Sequence, residues 1–142
     1  MHRPSPLSRS RRLLRRRARA VGELAGKLDV TGGLTEHDDV LGSVERYDPA
    51  SNTWETVTPM STARKQFGAA VLDGKLYAVG GREDLVNKLS DVKVLDPQRG
   101  TWEAGPPLAM GREEFGLAVL DGKLYAVGGW DDDDNALSDV EM

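Results

Sequence analysis

The sequence predicts an all-β fold, a partial β-propeller of about two and a half four-stranded blades with a 48-residue period. Three observations carry this. Leu72-Asp73-Gly74-Lys75-Leu76-Tyr77-Ala78-Val79-Gly80-Gly81 recurs unchanged at 120–129, 48 residues on. The same offset carries Trp54 to Trp102, Arg64 to Arg112, Phe67-Gly68 to Phe115-Gly116, Asp48-Pro49 to Asp96-Pro97 and Leu89-Ser90-Asp91-Val92 to 137–140, with no insertion. Each period holds four short strand signals separated by turn residues, the pattern of one propeller blade.

The first strand of the period is the apolar run Phe67 to Leu72. Asp73-Gly74 follows, a strong hairpin signal because a type I′ turn needs positive φ at both central residues. The second strand, Lys75 to Val79, ends on Gly80-Gly81. Near-continuous apolar strands are covered on both faces. That suits the inner strands of a blade, sandwiched between neighbours. The third strand, Ser90 to Leu95, is more polar and lies farther from the axis. Asp96-Pro97 opens a turn, proline supplying its fixed φ. The fourth strand starts near Thr101-Trp102 and is short, as exposed edges usually are.

The glycine pair permits close approach of the next blade's backbone. Gly80, Gly81, Tyr77, Trp54 and Trp102 read as scaffold, the aromatics filling the space between blades and their polar tips finding partners at the edge. A decayed copy of the repeat lies at 24–33, with Gly26, Lys27, Leu28 and Gly32-Gly33 in frame and Asp29 where later copies have tyrosine. The chain therefore divides into an arginine-rich disordered head at 1–22 and repeats at 23–142. The repeats are degenerate at 23–60, complete at 61–108 and truncated at 109–142.

Charge follows the same division. Residues 1–22 hold eight arginines and no acid, while the remaining 120 residues hold 11 Lys and Arg against 23 Asp and Glu, a balance of −12. An acidic body makes nucleic acid an improbable partner. The head has the composition of an organelle transit peptide, of a nuclear-localisation patch, or of a plain disordered tail. The chain has no cysteine, which excludes disulfide frameworks and thiolate chemistry and suits a reducing compartment. Cytoplasm is the expected location. No apolar run approaches the ~20 residues of a membrane helix.

The pattern of a glycine pair, Val-Glu-Arg-Tyr-Asp-Pro at 44–49, Asn-Thr-Trp at 52–54, Pro-Met at 59–60, Arg64, and Leu-Asp-Gly-Lys-Leu-Tyr-Ala-Val-Gly-Gly resembles the Kelch repeat, whose period is ~50 residues. The resemblance covers roughly 24–142 and is of the BTB-Kelch sort. It implies a protein-interaction module, with the substrate-binding part of a ubiquitin-ligase adaptor as the finer expectation; other members bind actin. No BTB domain occurs in the sequence. Rival readings are part of a propeller enzyme of the sugar-mutarotase kind, or a non-functional truncated product. The copper-oxidase branch cannot apply, since its cofactor is built partly on cysteine. Propellers close with ~4–8 blades, so the chain is expected to be a fragment or to need self-association or further blades.

No catalytic residue, metal site or cofactor is predicted. His2 and His37 lack a second ligand at metal spacing. Asp131 to Asp134 form an acidic loop without the alternating ligands of an EF-hand. No nucleophile elbow or phosphate loop occurs.

Binding falls to the loops. One set joins the second and third strands, 82–88 and 130–136. The other joins successive blades, Ala63 to Gln66 and Gly111 to Glu114. The Kelch resemblance implies that both sets share one face that receives partner peptides, with Arg64, Arg82, Arg112 and Trp130 as the contact residues. Arginine grips carboxylates through a planar fork, and arginine and tryptophan dominate interface hot spots. For Arg64 and Arg112, which sit at a repeat-consensus position, a second reading is that they bind turn carbonyls within their own blades. For Arg82 and Trp130 the second reading is plain solvent exposure.

Overall fold

A computed structural model describes residues 19–35, 37–84, 88–137 and 140–141. Among them the chain forms three consecutive antiparallel sheets and no helix, so none is long and apolar enough to cross a membrane. Blade 1 holds β1 (Ala20–Leu24), β2 (Lys27–Thr31), β3 (Val44–Asp48) and β4 (Thr53–Val57). Blade 2 holds β5 (Gly68–Leu72), β6 (Lys75–Val79), β7 (Val92–Asp96) and β8 (Thr101–Gly105). Blade 3 holds β9 (Gly116–Leu120), β10 (Lys123–Val127) and β11 (Val140–Glu141). Strands pair in sequence order within each sheet, β1 packs beside β5, and β5 packs beside β9. This is the open, partial propeller expected.

The turns are those the residues dictate. Leu72 pairs with Lys75, leaving Asp73 (φ 52°) and Gly74 (φ 72°) as a two-residue type I′ loop. Asp121 and Gly122 repeat it in blade 3, and Ala25 and Gly26 in blade 1. In the Asp-Pro turns, the Asp48 carboxylate accepts from the Ala50 N–H and Asp96 from the Gln98 N–H, both at 3.0 Å. Asn52 and Gly100 close these turns in the left-handed region.

The expected boundary at residue 22 is corrected by β1. Ala20 and Gly22 already pair with Thr31 and Asp29, and Ala20 is buried. The near-continuous apolar run that marks this strand in the later copies is interrupted by Gly22 and Glu23, which concealed it behind the arginine run. The head itself, residues 1–18, lies outside the described residues.

Two apolar clusters cement blade 1 to blade 2. One joins Ala20, Val44 and Met60 to Phe67 and Ala78; the other joins Leu24 to Leu76 and Leu95. Trp102 packs against both, and its indole N–H donates to the Thr58 carbonyl of the preceding blade at 2.8 Å. The glycine pairs allow the contact. A Cβ on Gly32 of blade 1 would lie 2.6 Å from the Arg64 carbonyl oxygen and 2.7 Å from Phe67 Cε1 of blade 2, closer than atoms can approach.

Blade 1 departs from the repeat in a compensated way. Asp29 stands where blade 2 has Tyr77, and Arg46 where blade 2 has Val94. The hairpin register sets each pair face to face, Asp29 with Arg46 and Tyr77 with Val94. Asp29, wholly buried, accepts from Arg46 Nε at 2.7 Å and from Nη2 at 2.9 Å. This bidentate bond holds the Arg46 guanidinium above its ordinary pKa against the opposing cost of burial.

Candidate functional site

The two loop sets do meet. Lys65 and Arg82 exchange backbone hydrogen bonds at 3.0 Å, as Glu113 and Trp130 do at 3.1 and 3.0 Å. Arg82 also bridges to Lys88, and Trp130 to Ala136. Each blade thus builds a small ladder beyond the ends of its strands, and the segment entering one blade leans on the strand-two loop of the blade before it. Gly33 donates to the Arg64 carbonyl at 2.8 Å and Gly81 to that of Arg112 at 2.8 Å.

Arg64 and Arg112, expected as surface contacts, are instead completely buried. Arg64 Nη1 donates to the Gly80 carbonyl and Nη2 to Asp91, each at 3.0 Å, while its main chain is held by Leu41 and Gly33 of blade 1. Arg112 Nη1 donates to the Gly128 carbonyl at 3.1 Å. The second reading of these positions describes them. The left-handed glycine turn leaves a carbonyl pointing inward, and a guanidinium is the long, multi-donor group that reaches it. Both guanidinium groups brace their own blades, while the main chain of each is bonded to the blade before it.

Arg82 and Trp130 occupy equivalent positions of blades 2 and 3 and differ in setting. Trp130 is 42% exposed. Arg82 Nε lies 2.8 Å from Glu113 Oε2, and Glu113 in turn faces Lys88 Nζ at 3.5 Å. Lys88 is the hub. Its side chain is 1% exposed, its ammonium donates to Asp134 at 2.8 Å and to the Asp131 carbonyl, and its main-chain N–H donates to Asp132 at 2.8 Å. Burial depresses the Lys88 ammonium, but its hydrogen bond to Asp134 and the fields of Glu113 and Asp134 outweigh it and raise the group above its ordinary value. Asp134, bonded to Lys88, is held below the usual carboxylate range. Asp131 is also lowered, first by the Asn135 N–H. The acidic loop is therefore a folded strap anchored on the neighbouring blade. Among the described residues no cluster of His, Cys, Asp and Glu is arranged to hold a metal.

The sequence reading missed Gln66 and Glu114 as individuals, although it placed both in the right loops. Gln66 (φ 54°) and Glu114 (φ 50°) adopt the left-handed conformation immediately before the Phe-Gly of each blade. They are 48 residues apart and bonded across the blade boundary. The Glu114 N–H donates to the Gln66 carbonyl at 3.0 Å, and Gln66 Nε2 to Glu114 Oε1 at 2.5 Å. Two bulky polar residues in a conformation that costs roughly 1 kcal/mol or more each mark a place where the scaffold imposes geometry. No signal in the side chains reports a positive φ at Gln or Glu.

A separate apolar cleft of about 300 Å³ lies between blades 2 and 3, lined by Leu72, Tyr77, Val79, Leu108, Leu117 and Leu124. It does not include the four predicted contact residues.

The Kelch motif matches the chain three times, over residues 15–61, 63–109 and 111–142. A stretch of 60 residues, 42% of the chain, is 40% identical to an F-box/kelch-repeat protein of Arabidopsis thaliana, and covers 14% of the length of that relative. The solved structure of YjhT superposes with a TM-score of 0.79 at 17% identity, over 88% of this chain and 42% of that one, a likeness of fold alone.

Proposed function

Because this chain belongs to the Kelch-repeat family, we propose that it is a protein-binding module, not an enzyme, and that its contact surface is the loop face carrying Gln66, Glu114, Arg82 and Trp130. The carrying observation is the Gln66–Glu114 pair, held in left-handed backbone and bonded across two blades. Strain kept at polar residues on a rigid frame is the mark of a pre-organised contact. Trp130 supplies the exposed apolar anchor beside it, and Arg82 a guanidinium already oriented by Glu113. The substrate-binding part of a ubiquitin-ligase adaptor is the finer form of this reading. Its support is that the Arabidopsis relative joins kelch repeats to an F-box.

The test is selection of peptides on the intact chain from a random display library. Selected peptides should lose about tenfold or more in affinity on Trp130→Ala, as truncation of a hot-spot aromatic does, and also on Gln66→Ala. Peptides indifferent to both substitutions would place the contact surface elsewhere.

A further inference from the structure

The repeat separates what the frame needs from what one blade has added. At the outer rim, where blade 1 meets blade 2, the Thr58 carbonyl accepts the Trp102 indole N–H at 2.8 Å. One period later the place of Thr58 is taken by Pro106. A proline offers the same carbonyl and no hydroxyl, so the frame asks for nothing beyond the main chain here. Thr58 nevertheless uses its side chain. Its Oγ1 donates to the Gly100 carbonyl of blade 2 at 2.6 Å. One residue thus fastens the rim twice, and the second fastening depends on a single hydroxyl.

That hydroxyl stands in reach of an enzyme. Thr58 and Pro59 are both exposed, as are Glu55 and Thr56 before them. They follow on β4, the last strand of its sheet, which is bonded to β3 alone. A Cβ on Gly100 would meet only Thr58 Oγ1, at 3.6 Å, so the space around the joint is open. Pro59 sets the local backbone. A residue before proline is held extended, and the proline itself has no N–H to donate. An enzyme that modifies Thr58 must therefore accept an extended chain and demand no main-chain donor after the acceptor residue. That is the specificity of a proline-directed protein kinase. Among the described residues Thr58 is the one serine or threonine followed by proline; elsewhere in the sequence Ser5 is the other.

We infer that Thr58 is a phosphorylation site for a proline-directed kinase, and that the phosphate unfastens blade 1 from blade 2 at the rim. The γ-phosphoryl group of ATP passes to Oγ1. A new P–O bond forms there, the bond to the bridging oxygen of ADP breaks, and the hydroxyl proton goes to the catalytic base of the kinase. The joint then fails for a chemical reason. The hydroxyl was its donor, and the ester oxygen that replaces it has no proton. The phosphate carries between about −1.5 and −2 charges at neutral pH, and its oxygens repel the Gly100 oxygen, an acceptor like themselves. Thr58 moves off Gly100, and the Trp102 indole loses the Thr58 carbonyl with it. Arg99, next to Gly100, is 75% exposed and lies 3.9 Å from Asp96. A pair between Arg99 and the phosphate in water is weak and does not restore the joint. The site lies on the rim and is independent of the partner-binding reading.

Incubation of the 142-residue chain with ATP, Mg²⁺ and a purified kinase of the mitogen-activated class tests the site, read by peptide mapping in a mass spectrometer. Phosphate is expected at Thr58 of the folded chain, and Thr58→Val should abolish it there while leaving modification at Ser5 unchanged. No phosphate at Thr58, or phosphate only after heat denaturation, overturns the site. The unfastening is read by NMR from hydrogen exchange at the Trp102 indole. The phosphorylated chain should exchange this proton at least about tenfold faster than the unmodified chain, as loss of one hydrogen bond allows, with the strand signal in circular dichroism unchanged. Thr58→Val removes the hydroxyl, adds no charge and leaves the carbonyl in place, so it should accelerate exchange less. Indole exchange that phosphorylation leaves unchanged, or slows through Arg99, overturns the unfastening.

Discussion

Asp29 and Arg46 face each other across β2 and β3, joined by two hydrogen bonds, at the place where blade 2 sets Tyr77 against Val94. One blade solves with charge what the next solves with apolar contact. Breaking the pair strands a charge. Asp29→Ala should destabilise the chain by about 3–5 kcal/mol, whereas the exchange of both partners for apolar residues should be near neutral. The double variant Asp29→Tyr, Arg46→Val, which copies blade 2, should therefore recover most of the loss. Urea denaturation of the two variants decides it.

Arg64 offers a second measurement. Its guanidinium satisfies the Gly80 carbonyl and Asp91 together. Arg64→Met removes the donor to the Gly80 carbonyl and to Asp91, which keeps only the more distant Lys93, and should cost about 2–3 kcal/mol, in the range for hydrogen bonds to charged groups. Arg64→Lys should recover only part, since an ammonium cannot span both acceptors in one plane. Thermal denaturation monitored at the tryptophans reports this, and full recovery by lysine would show that charge alone suffices.

Ala25 occupies the first position of a type I′ turn at φ 51°, where blades 2 and 3 place aspartate. Alanine lacks the short polar side chain that tolerates this region. Ala25→Asn should stabilise the chain by roughly 1 kcal/mol, seen as a rise in Tm.

The strap from Asp131 to Asn135 should respond to pH at both extremes. Asp134 and Asp131 are lowered in the folded chain, so their contribution is present above the ordinary carboxylate pKa and is lost as pH falls through the lowered values. Lys88 is raised, so its contribution is present below the ordinary lysine pKa and is lost as pH rises through the raised value. Between these limits the strap holds. Amide exchange at Asn135 should stay slow through neutral pH, after correction for the intrinsic rate, and accelerate in acid. Lys88→Met should abolish the protected window.

The sequence makes the blades legible because their rules are local. Asp73-Gly74 dictates a hairpin, Asp96-Pro97 a turn, and a 48-residue echo fixes the register of the rest. β1 is half concealed, since Gly22 and Glu23 break the continuous apolar run that marks this strand in later copies. Arg64 and Arg112 show the limit of a repeat. Recurrence says that a residue is needed in every blade, but not whether it faces inward or out. The docking of the acidic strap on Lys88 joins residues more than 40 apart with no periodic counterpart, so no pattern announces it. The Asp29–Arg46 pair could have been found, because both departures from the repeat lie on strands whose hairpin register brings them together.

The bond from the Trp102 indole to the Thr58 carbonyl runs from blade 2 to the blade before it. Every fastening described between blades is likewise between immediate neighbours. Growth by gene duplication therefore needs no new chemistry. A second copy of residues 61–108, spliced in after Leu108, would present Trp102 to Pro106, the counterpart of Thr58, and Phe67 to Gly80. Such an array can lengthen by whole cassettes, each arriving with its joinery complete.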